Sequence, residues 1–288
     1  MRVMVTGGKG RLGSLLTEIY DVQEGYEVFS VDIDEIDIAD YDATRELVTL
    51  NRPDLVIHCA AWTDVDGCAR EPEKAIAING YGAGNVAAAA YEVGAPIIHV
   101  SSNEVFPGDR NTPYYEHDTT GPVNPYGYSK YVGEQEVARL NPKHMIVRTS
   151  WLFAHGGKNF MQTMINAANA GKNLRVVTNE VAHPTYTNDL AAAIFNLGNI
   201  NRPGTYHIVN EGAVSRWTFA RYILDHAGHR DTPIAKISSV DWPRPSTPPE
   251  YTHLANTAAK HLGVTLRPWQ DAVDAFLHRE GLLVGDDE

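Results

Sequence analysis

Apolar positions in the first 150 residues fall in short runs set between stretches of helical periodicity. Val3-Met4-Val5 is a brief hydrophobic strand, Gly7, Gly10 and Gly13 interrupt it, and helical spacing resumes over Leu12 to Val22. Tyr26-Glu-Val-Phe-Ser-Val-Asp32 reads as a second strand ending in an acid. Asp40 to Asn51 has a helix pattern stopped by Pro53, and Asp54-Leu-Val-Ile-His-Cys-Ala-Ala61 is a nearly all-apolar strand. Glu73 to Val93 is helical in character, with Gly80, Gly82 and Gly84 letting its middle pack closely on a neighbour. Ala95 to Ser102 is the fourth strand and His144 to Trp151 the fifth. Continuous apolar strands fit a parallel sheet buried on both faces, and their alternation with helices predicts an α/β, doubly wound sheet with right-handed crossovers.

Two stretches depart from that rhythm. The loop Phe106 to Asn124 exceeds about 12 residues, a length at which loops are usually functional or disordered. It leads into a helix that opens Pro125-Tyr126-Gly-Tyr-Ser-Lys130. Beyond Asn159 the pattern is less regular: a helix to Ala170, a strand from Leu174 to Thr178, a helix from Asn188 to Gly198, a strand from Gly204 to Asn210 and a helix from Arg216 to Ala227. Four prolines between Pro243 and Pro249 break any regular element before helices at Ala255 to Leu262 and Pro268 to Arg279, and the tail Gly285 to Glu288 is expected to fray. The expected division is a dinucleotide-binding domain over residues 1–150, rejoined by about 181–210, and a smaller substrate-binding region from 151–180 and 211–288.

Composition narrows the partners. At 288 residues and a formal charge of −12, the chain can bury a large core and is a poor match for nucleic acid or an anionic membrane, although a local basic pocket can still hold a phosphate. With no run of eighteen apolar residues and no hydrophobic leader, a soluble cytoplasmic protein is expected. Cys59 and Cys68 are the only cysteines and read as ordinary reduced thiols, and no spacing suggests a metal. His58 and His99 sit in apolar strands, where hydrogen-bonded core histidines are expected. A homodimer is the oligomer that base rates favour.

The glycines supply the first candidate chemistry. Gly7 permits a turn of unusual dihedrals, Gly10 lets backbone N–H groups approach a phosphate at the positive end of a helix, and Gly13 lets that helix lie close on the strand. A glycine triplet alone is weak, but this one lies between strand and helix and is followed about 20 residues later by Asp32, as the Rossmann-like dinucleotide fingerprint requires. Ligands of such sheets sit beyond the carboxyl ends of the strands, so Ala60, Ala61, Ser101 and Ser102 are expected to line one crevice. Tyr126 and Lys130, four apart, share a helix face. The ammonium is expected to lower the tyrosine pKa, making Tyr126 a proton donor near neutral pH, with Ser102 on the same substrate oxygen. Lys130 would also hold the ribose hydroxyls of the cofactor. An isolated Y-x-x-x-K is more often a surface tyrosine on a lysine stem; its place after the fourth strand favours catalysis.

The glycine turn, Ser102 and Tyr126-x-x-x-Lys130 resemble the extended short-chain dehydrogenase/reductases. Arg52-Pro-Asp-Leu-Val-Ile-His-Cys-Ala-Ala-Trp-Thr-Asp-Val-Asp66, Asn124-Pro-Tyr-Gly-Tyr-Ser-Lys130, Arg148-Thr-Ser-Trp151 and Pro184-Thr185 resemble the dTDP-4-dehydrorhamnose reductases over roughly residues 1 to 280. The resemblance implies that Gly10, Arg11 and Leu12 lie along the pyrophosphate, Asp32, Asp37 and Ile38 near the adenosine, and Ala61, Trp62, Thr63 and Val100 along the rest of the cofactor. Ser102 and Asn103 would meet the sugar and Trp151 would pack on it. The implied reaction is NADH- or NADPH-dependent reduction of the 4-keto group of a nucleotide-linked 6-deoxysugar. Asp32 tips the cofactor toward NADH by repelling a 2′-phosphate, and Lys9 and Arg11 stand near enough in sequence to offset it.

Two departures from the family pattern stand out. Where the family usually reads Ser-Thr-Asp-Tyr, this chain has Ser101-Ser102-Asn103-Glu104. Related nucleotide-sugar dehydratases carry Thr-Asp-Glu there, so Glu104 is either a lone base or a solvated loop carboxylate. After Arg244-Pro245 the family tends to an asparagine and a serine, whereas this chain reads Ser246-Thr-Pro-Pro249, which weakens the match on the diphosphonucleoside side. The rival readings are an epimerase or dehydratase with retained NAD, and a non-catalytic subunit like the regulatory subunit of methionine adenosyltransferase.

Overall fold

In the computed structural model, which describes residues 1–157 and 159–284, β1 (Arg2–Thr6) leads through α1 (Arg11–Asp21), β2 (Glu27–Val31) and α2 (Tyr41–Asn51) to β3 (Leu55–His58). After α3 (Val65–Arg70), α4 (Pro72–Ala75), a π-helical stretch Ile76–Gly82 and α5 (Ala83–Glu92) run on without a break. β4 (Ile97–Ser102), α6 (Pro125–Leu140), β5 (His144–Thr149), β6 (Leu152–Phe153) and α7 (Phe160–Asn169) follow. Then come β7 (Leu174–Val177), β8 (Val181–Ala182), β9 (Thr185–Tyr186), α8 (Thr187–Ile200) and β10 (Gly204–His207). The chain closes with β11 (Val214–Ser215), α9 (Arg216–His226), β12 (Ile234–Ile237), α10 (Thr257–His261) and α11 (Trp269–Arg279). The tail expected to fray lies outside the described residues.

Six strands form one parallel sheet in the order β10-β5-β4-β3-β1-β2. Alternate side chains of β1 enter opposite cores. Val3 and Val5 pack with Leu16, Ile57, Met145, Leu190 and Ile194 on one face, and Met4 packs with Val56, Val86, Ala90, Ile97 and Ile146 on the other. Two apolar faces are why these strands read as unbroken hydrophobic runs. α1 and α8 cover the first face; the second lies under α2, α5 and α6. The helix glycines do bring that second layer close: a Cβ on Gly80 would stand 2.8 Å from Val132 of α6. A third core, with Phe153, Met161, Phe219, Trp269 and Phe276, holds the C-terminal elements together.

The order of connection reverses between β1, which pairs β2 on one side, and β3 on the other, so a crevice opens at the carboxyl ends of these strands. Ser101 does not face it. Its hydroxyl donates to Glu134 of α6 at 2.6 Å, because β4 alternates and turns Ser101 under the sheet. His58 shares a hydrogen bond with the Thr6 hydroxyl at 2.7 Å, as a core histidine should. His99 departs from the expectation: it stacks on His58 at 5.2 Å, and neither ring nitrogen has a hydrogen-bond partner among the described residues. Burial holds its pKa well below the ordinary value and keeps it neutral. Among the described residues no helix is long and apolar enough to cross a membrane.

Candidate active site

One side of the crevice is built from backbone. Gly7 adopts the left-handed conformation (φ +69°), and a Cβ there would lie 2.7 Å from the Ala60 nitrogen, so the Ala60-Ala61 segment after β3 crosses directly over the turn. A Cβ on Gly13 would run into the Gly7 carbonyl, so only glycine lets α1 start this close to β1. Gly10 is the N-cap of α1, no side chain caps it, and no acidic residue stands in the first turn. The amides leading into Arg11 and Leu12 therefore offer an uncompensated positive helix end, which fits a pyrophosphate. Arg11 is exposed beside Gly157, and Leu12 anchors the turn in the core.

Asp32, at the end of β2, accepts the Lys9 N–H at 2.8 Å and the Ile33 N–H at 2.8 Å, so the acid also fixes the glycine turn. The Lys9 ammonium is turned away to Asp34 and Glu35, at 2.7 and 2.9 Å, and does not offset Asp32. Asp37 is exposed and accepts the Ala39 N–H, while Ile38 is buried against Gly82. The loop Ala61-Trp62-Thr63 is gripped by Asn79 from the π-helical stretch. Its side chain accepts the Trp62 N–H at 2.7 Å and donates to the Trp62 carbonyl at 3.0 Å and to Ser129 at 2.9 Å. A π turn re-aims one residue on a helix, and here it ties this loop to the helix of Tyr126. Helical spacing gave no sign of it. Val100 is half-buried on β4 beside the same crevice.

Ser102 ends β4 close to Tyr126, and its hydroxyl favours the phenolate. Lys130 is 2 % exposed, one turn along α6, and forms no ion pair among the described residues. These three residues do converge. Their electrostatics differ from the expectation, however: withdrawal from water is the largest influence on Tyr126, the Glu104 charge the next, and both push its pKa up. Lys130 does not offset this rise; burial lowers its own pKa to about 8, and the carboxylate of Glu134, 1 % exposed, opposes that fall. Glu134 is itself held by Arg148 through two hydrogen bonds of 2.9 and 2.7 Å. Tyr126 is thus a neutral phenol with a proton to give.

The remaining side is a cleft of about 250 Å³ assembled from side chains. Asn103 donates to Thr252 at 2.5 Å, and Glu104 accepts from Asn124 at 2.6 Å. Glu104 lines this cleft and is no solvated loop carboxylate; desolvation raises its pKa despite the Asn124 hydrogen bond. Trp151 also lines it, with a left-handed backbone (φ +41°), a costly conformation for a bulky residue, and the Arg216 guanidinium lies 3.6 Å from its ring centre. Glu180, 3 % exposed, sits between Arg216 and Arg244 and ion-pairs with both. Burial lowers Arg216 to about 10, which leaves it cationic. The sequence pattern does not mark Asn79, Glu180 and Arg216, or the bond from Asn124 to Glu104, because each acts through a partner remote along the chain. Among the described residues no cluster of acids, histidines and cysteines could hold a metal.

A glycine cradle at a switch-point crevice, with Ser102, Tyr126 and Lys130 beside it, is the construction of the extended short-chain dehydrogenase/reductases, oxidoreductases that work with a nicotinamide cofactor. The model of the RmlD substrate binding domain matches residues 1–281. A dTDP-4-dehydrorhamnose reductase from Mycolicibacterium smegmatis is 38% identical over 277 residues, 94% of this chain and 84% of that one. A solved dTDP-4-dehydrorhamnose reductase from Clostridium acetobutylicum superposes with a TM-score of 0.93 at 34% identity, over 98% of this chain and all (100%) of that one. That of Bacillus anthracis, solved in complex with NADP, gives 0.91 at 35% identity, over 96% and 99%. The chain belongs to the dTDP-4-dehydrorhamnose reductase family.

Proposed function

We propose that this chain reduces the 4-keto group of a nucleotide-linked 6-deoxysugar with NADH or NADPH, as dTDP-4-dehydrorhamnose reductases do. The observation that carries the reading is the convergence of Ser102 and Tyr126, with the buried Lys130 one turn away, at the carboxyl end of β4 beside the glycine cradle. When bound, the nicotinamide supplies a hydride to the ketone carbon. Gly10, Arg11 and Leu12 hold the pyrophosphate at the start of α1, and Asp32, Asp37 and Ile38 receive the adenosine. Asp32 favours NADH modestly. Ala60, Ala61, Trp62, Thr63 and Val100 line the way to the nicotinamide, whose ribose meets Lys130.

Ser102 and Tyr126 orient the ketone oxygen, and the phenol gives its proton to the alkoxide that forms there. A raised pKa suits this direction, since the group must arrive protonated. Lys130, charged below about pH 8, stabilises the phenolate left behind. Asn103 meets the sugar, Trp151 packs against it, and Arg216 and Arg244 meet the diphosphate. In this reading residues 1–150 with about 181–210 carry the dinucleotide, and 151–180 with 211–288 carry the sugar nucleotide. Loss of NADH or NADPH absorbance on addition of a dTDP-4-keto-6-deoxysugar is the expected result. A folded protein that binds the cofactor and turns over no 4-keto nucleotide sugar would remove the reading.

A further inference from the structure

We propose that Glu104 is a general base that removes a proton from a carbon next to the substrate ketone, giving this chain a hydrogen-exchange activity besides reduction; this rests on the 4-keto sugar reading above. Three observations place the carboxylate for it. First, Glu104 follows Ser102 by two residues in a 3-10 turn, with its N–H on the Ser102 hydroxyl at 3.1 Å, so its position is tied to the group that orients the ketone. Second, Asn124 caps α6 through the Gly127 N–H at 2.7 Å and also donates to Glu104 Oε2, joining the carboxylate to the first turn that carries Tyr126. A Cβ on Gly127 would strike the Glu104 carbonyl, so the turn and the helix press together without a spacer. Third, Oε1 accepts no hydrogen bond from the described residues, and Glu104 lines the same cleft as Asn103 and Trp151.

The reduction needs no proton transfer to or from this group. A carboxylate drawn from water without an ion pair of its own is costly, and Arg216 and Arg244, the nearest cations, are engaged by Glu180. Partial desolvation also strengthens it as a base. A hydrogen on C3 or C5 of a 4-keto sugar is acidified by the ketone, and the Ser102 and Tyr126 hydroxyls that polarise the oxygen for reduction acidify it further. In the step, the C–H bond breaks and its proton goes to Glu104 Oε1. The bonding pair forms a carbon–carbon double bond, the carbonyl π pair moves to O4, and Tyr126 protonates that oxygen. Reversal with a solvent-derived proton on Glu104 restores the ketone, with no oxidant or reductant consumed.

The test uses the full chain in D2O with a dTDP-4-keto-6-deoxysugar and oxidised cofactor, following the mass of the nucleotide sugar, with NADH and NADPH oxidation measured in parallel. Deuterium is expected to enter at least about tenfold faster than without protein, and Glu104→Gln, checked for cofactor binding, to slow entry by about 100-fold. Should the glutamine variant not fold, Glu104→Asp keeps the charge and shortens its reach, and slower exchange than wild type is expected. Entry at the protein-free rate, or equal rates in wild type and the variant that folds, overturns the inference. Reduced cofactor consumed without exchange overturns the exchange activity alone; neither exchange nor consumption overturns both it and the reductase reading.

Discussion

The two sides of the crevice are made of different material. The side proposed for the cofactor is a backbone surface, the Gly7 turn and the uncapped start of α1, fixed by contiguous residues and pressed against the Ala60-Ala61 segment. The side proposed for the substrate is a surface of side chains brought from Asn103 and Glu104, Trp151, Glu180, Arg216 and Arg244, whose ion pairs form only once the chain is folded. A backbone site fixes a ligand shared by many enzymes and tolerates little change; a side-chain cleft can be rewritten residue by residue while the hydride chemistry stays in place. The Asn103-Glu104 departure lies on the rewritable side.

Tyr126→Phe gives the largest effect. It is expected to lower kcat by about 10²–10⁴-fold with cofactor affinity unchanged, as read by steady-state rates and a fluorescence titration of NADH or NADPH. A comparable loss of cofactor binding would mean that the two sides are not separable. Gly13→Ala breaks the other side: its methyl meets the Gly7 carbonyl, so about 1–3 kcal/mol of stability and most cofactor affinity should go together, measured by thermal unfolding with and without cofactor. Unchanged melting and binding would refute the cradle. Arg216→Lys should raise KM for the nucleotide sugar by about tenfold and leave that for the cofactor alone, because an ammonium cannot lie flat on Trp151 while pairing Glu180.

The smallest effect is on the pH profile. Lys130 carries its charge below about 8 and loses it above, so kcat should fall as pH rises through about 8. Tyr126, pushed the other way, keeps its proton through this range and should add no further fall of its own near neutrality. A rate that stays flat well beyond that pH would show that the ammonium is not needed for turnover.

The cofactor half was legible because its determinants are local. A strand, three glycines, a helix and an acid about 20 residues on announce a nucleotide turn wherever they occur in that order. The alternating core assignment of Val3, Met4 and Val5 likewise follows from the period of a strand. Pairing Tyr126 with Lys130 needed only the helical repeat, but the sign of the tyrosine shift did not follow from it: proximity of a cation argued for a lowered pKa, and the depth of burial, set by the whole fold, decided otherwise. His99 failed for the same reason, since a polar residue in an apolar strand says nothing of whether a partner will reach it. Two-residue strands such as β8 and β9 have too few positions to show a period, and the π turn around Asn79 hides inside an ordinary helical pattern. Glu180 and Arg216 stand 36 residues apart and meet only through the folding of the C-terminal region.

The central claim is that hydride reaches a sugar ketone in this crevice while Tyr126 supplies the proton. The direct measurement is transfer of deuterium from cofactor labelled on the reactive face of its nicotinamide. Wild type should place the label on C4 of a dTDP-4-keto-6-deoxysugar, and Tyr126→Phe, still binding cofactor, should do so at least about 100-fold more slowly. Label that never leaves the nicotinamide, or equal transfer by the two proteins, would contradict the account.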